Sequence, residues 1–262
     1  MLTKLVQISV VMALMTSAGQ AADVETTAAY DWSGSYIGAF GGVAWSDADI
    51  DGKIFNDGGV PAHPQFLLDV VNAINDSSHS NVTGTYGVQA GYNLQLDMVV
   101  LGVQVDFGGL NLGDSDQRVE DLGEGLVVSV ENSFDTDWML TLRPRIGLAF
   151  DNLLLYATGG AALTDLTFKH DYATTEPGAI SAEDFSETSS QWGWIAGAGL
   201  EYAADDHWSI AIEYLYADFG TVSEERRVIF TDAAIAEPLN TAFKNELDLV
   251  VQTVRASVNY KF

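Results

Sequence analysis

The chain has no cysteine. Disulfides, thiolate metal sites, a cysteine nucleophile and a lipoprotein anchor are therefore excluded. Basic residues are scarce: 11 Lys and Arg stand against 37 Asp and Glu, a formal charge of −26. Such a surface repels a phosphate backbone, so nucleic acid is an unsuitable partner. No second apolar run follows the N-terminal one, and that one, Leu5 to Met15, is too short to span a bilayer as a helix. The four histidines, His63, His79, His170 and His207, lack metal-ligand spacing. No Ser-His-Asp order and no Gly-x-Ser-x-Gly elbow is present. An enzyme, a resident cofactor and a histidine metal centre all lack support in the sequence.

What is present begins with an export signal. Lys4 supplies a positive start, Leu5 to Met15 an apolar stretch, and Gly19-Gln20-Ala21 the small residues of a cleavage site. The expected division is a signal peptide over 1–21, a short periplasmic leader over 22–31, and one β-domain over 32–262. The last sixteen residues, Leu247 to Phe262, alternate strictly. From Val254 onward, Val254, Ala256, Val258, Tyr260 and Phe262 form an apolar face, while Arg255, Ser257, Asn259 and Lys261 form a polar one. A terminal amphipathic strand ending on an aromatic suits a transmembrane barrel, whose last strand pairs with its first to remove the sheet edge.

Six of seven further segments follow the same rule. Tyr86, Val88, Tyr92 and Leu94 are expected to face outward in the second, and Val99 to Phe107 alternate likewise in the third. Trp138, Leu140, Leu142, Ile146 and Leu148 do so in the fourth. In the fifth the inward set is Tyr156, Thr158, Gly160 and Ala162. Trp194 and Leu200 face outward in the sixth, and Ile210 and Ile212 in the seventh. The first segment, Trp32 to Trp45, is too Gly-rich for its faces to be assigned. Short turns at 96–97, 151–152 and 204–206 alternate with acidic interludes at 47–82, 109–135, 169–189 and 221–246, read as loops. The expectation is an all-β, eight-stranded antiparallel transmembrane barrel with four long outer loops and three short periplasmic turns, in the outer membrane of a Gram-negative cell. A soluble carrier barrel would have an apolar interior instead.

The segments WSGSYIGAFGGVAW, GVQAGYNLQ, LGVQVDFGG, LRPRIGLAFD, LYATGGAALTDL, GWIAGAGLEYA, WSIAIEYLYADFG and VRASVNYKF resemble the alpha-proteobacterial outer-membrane β-barrel ("porin family") proteins, similar in fold to the OmpA barrel domain. The resemblance spans all eight strands. It implies an integral surface protein that stabilises the envelope; some members are called porins, some surface antigens, and a few are reported to bind haem. Pro144 departs from the family's usual glycine between two arginines and puts local pairing in doubt, with a bulge as one outcome, because proline removes a ladder donor.

Charged residues on the inward face are Asp106, Arg143, Arg145, Glu201, Glu213 and Arg255. Three bases against three acids in a narrow lumen should pair, giving a polar plug; a charge-lined ion path of low conductance is the alternative. Inward glycines (Gly87, Gly91, Gly102, Gly147, Gly197, Gly199) are expected to leave room for water. Trp45, Trp138, Trp192, Trp194, Trp208, Tyr214 and Tyr216 are candidates for interfacial girdles. Tyr260 and Phe262 are candidates for the closure signal read by the barrel-assembly machinery. Asp47, Asp49 and Asp51 alternate and could collect divalent cations that bridge lipopolysaccharide. Residues Pro64 to Asp76 predict a short amphipathic helix, which would cap the barrel mouth or meet another cell component. Haem held by His63, His79 or His170 is a further possibility to be tested.

Overall fold

The computed structural model describes residues 30–56, 65, 68–69, 72–73, 77–121, 123, 127–174, 182–230 and 239–262. Eight antiparallel strands close into one barrel in sequence order. They are β1 (Gly34–Asn56), β2 (Ser77–Leu96), β3 (Val99–Asp121), β4 (Val127–Phe150), β5 (Leu153–Thr174), β6 (Ala182–Ala203), β7 (Trp208–Phe230) and β8 (Leu239–Lys261). Closure is made by β1 and β8, paired from Tyr36↔Lys261 to Asn56↔Thr241. No helix among the described residues is long and apolar enough to cross a membrane; the chain crosses with strands closed into a barrel, which removes the sheet edge from the hydrocarbon.

The turn end is tight. β2 passes to β3 at Asp97-Met98, and β4 to β5 at Asp151-Asn152. Asp97 and Asp151 hold φ of 58° and 52°, a left-handed geometry that Asp tolerates better than bulkier residues. Beside this end the outer wall is apolar. Leu142, Ile146, Ile210, Ile212, Val254 and Val258 are exposed, while Thr141, Arg143, Ala211, Glu213, Arg255 and Ser257 are buried in the lumen. The β1 faces are now assigned: Tyr36, Phe40 and Ala44 point inward, and Ile37 and Val43 outward.

The strands run 20–24 residues, about twice the ~9–11 needed to cross the hydrocarbon at a tilt. Much of the acidic blocks 109–135, 169–189 and 221–246 is therefore strand rather than loop, while the first connection, 57–76, keeps the length expected of a long loop. After β3 the connection covers only 122–126, after β5 175–181, and after β7 231–238. The physical reason is a reversal of polarity along each strand. Beyond the aromatic girdle the outward positions meet water, so Asp47, Asp49, Asp135 and Asp248 are exposed there. Their inward neighbours are apolar: Ala44, Ala48, Leu110, Leu112, Phe134, Leu166, Phe219, Leu247, Leu249 and Val251 form one buried cluster. Acid density marked water-facing wall, not absence of sheet.

Pairing around the projecting half is incomplete. β2 and β3 pair only between Tyr86↔Gly109 and Leu96↔Val99. β6 and β7 pair only between Trp194↔Asp218 and Ala203↔Ser209. The other six interfaces continue upward. Above the girdle the barrel is thus two facing four-stranded sheets, β7-β8-β1-β2 and β3-β4-β5-β6, with the apolar cluster between them.

Pro144 does not produce a bulge. Its pairing with β3 is continuous (Val103↔Pro144). On the β5 side the ladder is interrupted between Leu142↔Ala161 and Arg145↔Thr158 with no change of register. Gly159 and Gly160 lie opposite, so no side chain forces the strands to slip. Thr158 Oγ1 donates to the Pro144 carbonyl at 3.0 Å.

Candidate functional site

The lumen holds its charges in two tiers. In the upper tier Arg143 from β4 donates to Asp106 Oδ2 at 2.8 Å and to Glu213 Oε1 at 3.1 Å. Arg255 from β8 donates to Asp106 Oδ1 at 2.8 Å and to Glu213 Oε2 at 2.9 Å. Two guanidinium groups and two carboxylates thus form a closed square linking β3, β4, β7 and β8. Thr141 Oγ1 donates to Asp106 at 2.6 Å and accepts from Arg143 Nε at 3.1 Å. In the lower tier Arg145 donates to Glu201 Oε2 at 3.1 Å and to Asn93 Oδ1 at 2.9 Å. Glu201 Oε1 accepts from Ser209 Oγ at 2.6 Å and from Asn259 Nδ2 at 2.9 Å. A chain from Tyr36 OH through Gln104 and Gln89 to Asn259 ties β1, β2, β3 and β8 to this tier. All six charged side chains are buried. Paired in this way, none is left as an isolated charge in a dry interior.

Aromatic residues complete the packing: Tyr156, expected on the inward face of β5, and Tyr36 and Phe40, which the sequence pattern missed. Arg145 Cζ sits 5.0 Å from both the Tyr36 and Tyr156 ring centroids, and Arg255 Cζ 4.1 Å from the Phe40 centroid. Arg145 Nη2 has no hydrogen-bond acceptor; the π faces on either side meet it instead. The inward glycines do not leave water-filled space. A Cβ at Gly108 would meet Phe40 Cζ at 2.6 Å, and one at Gly199 would meet Tyr156 Cζ at 2.6 Å. Glycine is required so that the rings can lie against the wall. The signal was available in β1: Tyr36, Gly38, Phe40, Gly42 and Ala44 alternate with Ile37, Ala39, Gly41 and Val43, but neither set is polar.

Both ends of the lumen are closed by apolar residues. The upper seal is the cluster containing Leu110, Phe134, Ile195, Leu215 and Leu249. The lower seal is Trp32 with Val100, Leu154, Tyr156 and Ala203, flanked by Tyr30. Trp32 is 2% exposed and precedes the first strand. Its amide donates to Gln95 Oε1 at 2.8 Å, Gln95 N donates to Ser33 Oγ at 3.0 Å, and Lys261 Nζ reaches the Asp31 carbonyl and lies 4.0 Å from the Tyr30 ring centroid. The end of the expected leader is folded under the barrel. Burial, then the field of Glu201 and nearby acids, pushes the Tyr30 phenol up to about 12.

The girdle candidates fall into two groups. Trp45 packs on Tyr214, Trp194 on Tyr216, and Trp138 on Phe107, with centroids 6.4, 5.4 and 5.8 Å apart; Trp192 is exposed beside them. At the turn end Trp208 and Phe262 meet Tyr260 edge-on at 5.1 and 5.4 Å, and His207 stacks on it at 5.6 Å. The turn is held by Asp205 Oδ1, which accepts from the amides of His207 and Trp208, each at 2.8 Å. Those amides hold the Asp205 carboxyl below the usual range.

Other candidates are less assembled. Asp47, Asp49 and Asp51 share the outward face of β1, with Asp49 opposite Asp248 and Asp51 opposite Glu246. Among the described residues no group of three His, Asp or Glu is placed to hold a metal. Gln65, Leu68, Asp69, Asn72 and Ala73 are helical, Leu68 is buried, and Gln65 Nε2 donates to Asp69 Oδ1 at 2.8 Å. The other apolar residues of the expected helix (Phe66, Leu67, Val70, Val71, Ile74) lie outside the described residues, as do the expected signal peptide, His63 and the side chains of His79 and His170.

An apolar membrane band bounded by aromatics, around a closed antiparallel barrel with a buried charge network, defines an outer-membrane β-barrel protein. The chain belongs to the outer membrane protein beta-barrel domain family, whose model matches residues 8–262. It is 32% identical over 251 residues to the 31 kDa outer-membrane immunogenic protein of Brucella melitensis, covering 94% of this chain and 89% of that one. It is 27% identical over 158 residues to the 22 kDa outer membrane protein of Rhizobium leguminosarum bv. viciae, covering 59% and 63%. Among solved structures, the attachment invasion locus protein Ail of Yersinia pestis aligns over 88% of this chain and 99% of its own, at 12% identity and a TM-score of 0.36. The protein is located in the outer membrane of a Gram-negative bacterium.

Proposed function

We propose that this protein is a non-enzymatic structural element of the outer membrane whose second role is surface interaction through its projecting half. The observation behind the first part is the sealed lumen: a paired charge network lies between two apolar clusters, so among the described residues no polar route connects the two mouths. An ion entering would have to cross dry layers and break a buried pair, each costing several kcal/mol. The projecting half supports the second part, because it lifts charged sheet above the membrane wall. Lipid and lipopolysaccharide surround the apolar band. Tyr260 and Phe262, at the end of the closing strand, are the groups offered to the barrel-assembly machinery. Planar-bilayer recording on purified protein tests the lumen: we expect no stable conductance above the bare-bilayer leak. A stepwise conductance altered by Arg143→Ala would replace the plug with a low-conductance porin.

A further inference from the structure

The outer wall of the membrane band is uneven. A line of paired residues climbs around the barrel from the turn end to the upper girdle: Tyr202, Ile210, Val258, Ala39, Val88 and Phe107, each opposite the next. All face outward and are exposed, and all but Ala39 are large. Gly41, the next outward residue of β1, and Ala256, its partner in β8, are small as well. The wall therefore dips where β1 meets β8. Two concavities, of about 550 and 610 Å³, share Ala39 and Val258 at this dip. One extends from Trp208 and Tyr260 to Phe107, the other from Tyr202 and Ile212 to Gly41. Each has the size of an ordinary ligand cleft, ~300–1,000 Å³.

Nothing inside the chain requires glycine at 41. A Cβ there would meet nothing closer than the Thr85 carbonyl oxygen at 3.9 Å, and its φ lies outside the left-handed region. The lumen glycines differ, since a Cβ at Gly108 or Gly199 would strike a ring. An outward position in the band ordinarily carries a large apolar side chain. Glycine in a strand interior weakens the strand and marks a place where another molecule comes close to the backbone.

The lining selects the occupant. Gln89, Asp106 and Ser257 border the concavities but are buried on the lumen side. The outward lining carries no charge. Its polar groups are the Trp208 indole and the Tyr202 and Tyr260 hydroxyls, all near the turn end, at the depth where aromatic residues meet headgroups. An amphiphile with its polar end there and its chain along the dip fits this pattern. Turns of such barrels face the periplasm, and lipopolysaccharide occupies the opposite leaflet. A second barrel fits less well. Its wall is convex and would rest on Ile37, Val43 and Ile212, which stand exposed around the dip, without filling it.

We infer that the dip over Ala39, Gly41 and Ala256 holds an acyl chain of one glycerophospholipid whose headgroup lies beside Trp208 and Tyr260. This rests on the lipid contact in the proposed function and gives that contact a fixed place on the wall.

The test uses the whole protein in dodecyl maltoside micelles, titrated with phosphatidylethanolamine that carries a photoreactive diazirine on one acyl chain. Peptide mass spectrometry maps the adducts after irradiation. Leu142, exposed on β4 outside both concavities, is the reference. Residues 39–41 and 256–258 are expected to carry at least tenfold more adduct than Leu142, and their labelling should saturate near one lipid per barrel. Unlabelled phosphatidylethanolamine should compete it away. Equal, unsaturated labelling would mean unselective lipid contact and would overturn the inference, as would no labelling at either place. Labelling at Leu142 with none at the dip would show that protein covers it, this chain's own or a second copy's, and would overturn it too. Displacement by lipopolysaccharide but not by phosphatidylethanolamine would overturn the choice of lipid. Gly41→Leu and, separately, Ala256→Leu fill the dip from the lipid side and should each remove the excess labelling without altering that at Leu142; an unchanged excess would refute the placement. Neither side chain reaches the lumen, and the wild-type map decides the question if either variant fails to fold. The lipid contact itself is judged separately, by brominated-lipid quenching of a label at position 142 in vesicles.

Discussion

Arg143 is the side chain on which the buried square depends. It has no exposed side-chain area and contacts both Asp106 and Glu213, at 2.8 and 3.1 Å. Arg143→Met keeps most of the volume and removes the charge. Asp106 and Glu213 are then left with Arg255 alone, two carboxylates sharing one guanidinium inside a dry wall. Breaking a buried pair by removing one partner costs about 3–5 kcal/mol, and that is the expected loss. Adding Glu213→Gln should return part of it, since the tier then contains one acid and one base. The coupling between the two sites should be about 1–3 kcal/mol, the range for residues in one network. Urea unfolding of the protein in phospholipid vesicles, followed by fluorescence of its six tryptophans, measures all three variants. A loss under about 1 kcal/mol for Arg143→Met would mean that water already solvates the square, as at an exposed pair. Additive single and double variants would show that the four groups do not act as a unit.

Phe134→Ala empties the centre of the upper seal and should cost about 3–5 kcal/mol, as for other large core truncations; hydrogen exchange should rise in the projecting strands more than in the membrane band. Trp32→Ala should remove the lower seal, read as reagent access from the turn side to a cysteine placed at Ala203. The Asp205 carboxyl lies below its ordinary pKa in the folded protein, so it stabilises the turn above the ordinary carboxylate range and loses that effect as pH falls through its lowered value. The stability difference between the wild type and Asp205→Ala, present at pH 7, should therefore vanish in strong acid; a difference that persisted there would contradict the assignment. Phe262→Ala should reduce the assembled fraction in cells more than it reduces unfolding stability in vesicles.

The membrane half was legible because lipid imposes a simple rule: alternate residues must be apolar. Trp138 to Leu148, Ile210 to Tyr214 and Val254 to Val258 follow it, and the six lumen charges stood out on the other face. The projecting half was not legible from the same rule. There water lies outside and the core inside, so the polarity of the two faces reverses part-way along each strand. Leu247, Leu249 and Val251 belong to the same face as Arg255, and a single assignment of apolar to outside cannot accommodate both. Acid-rich stretches such as Leu110 to Asp121 then resemble loops, although their inward leucines keep them in the sheet. The aromatic filling of the lumen was hidden for another reason. Tyr36 and Phe40 occupy space created by glycines on other strands, and alternation within one strand says nothing about the strand beside it. Pro144 put pairing in doubt from local chemistry alone; Gly159 and Gly160 across the ladder removed the need for a bulge.

The reversal of polarity along the wall is tested most directly by single cysteines in a chain that has none. Each variant at Ile212, Val254, Leu249 and Phe134 is labelled with a small fluorophore under denaturing conditions, refolded into vesicles, and quenched either by brominated lipid or by aqueous iodide. Labels at 212 and 254 should be quenched by lipid and not by iodide, while labels at 249 and 134 should be quenched by neither. Lipid quenching at 249 and 134, or iodide quenching at 212 and 254, would contradict the placement of oil, water and core on which the account rests.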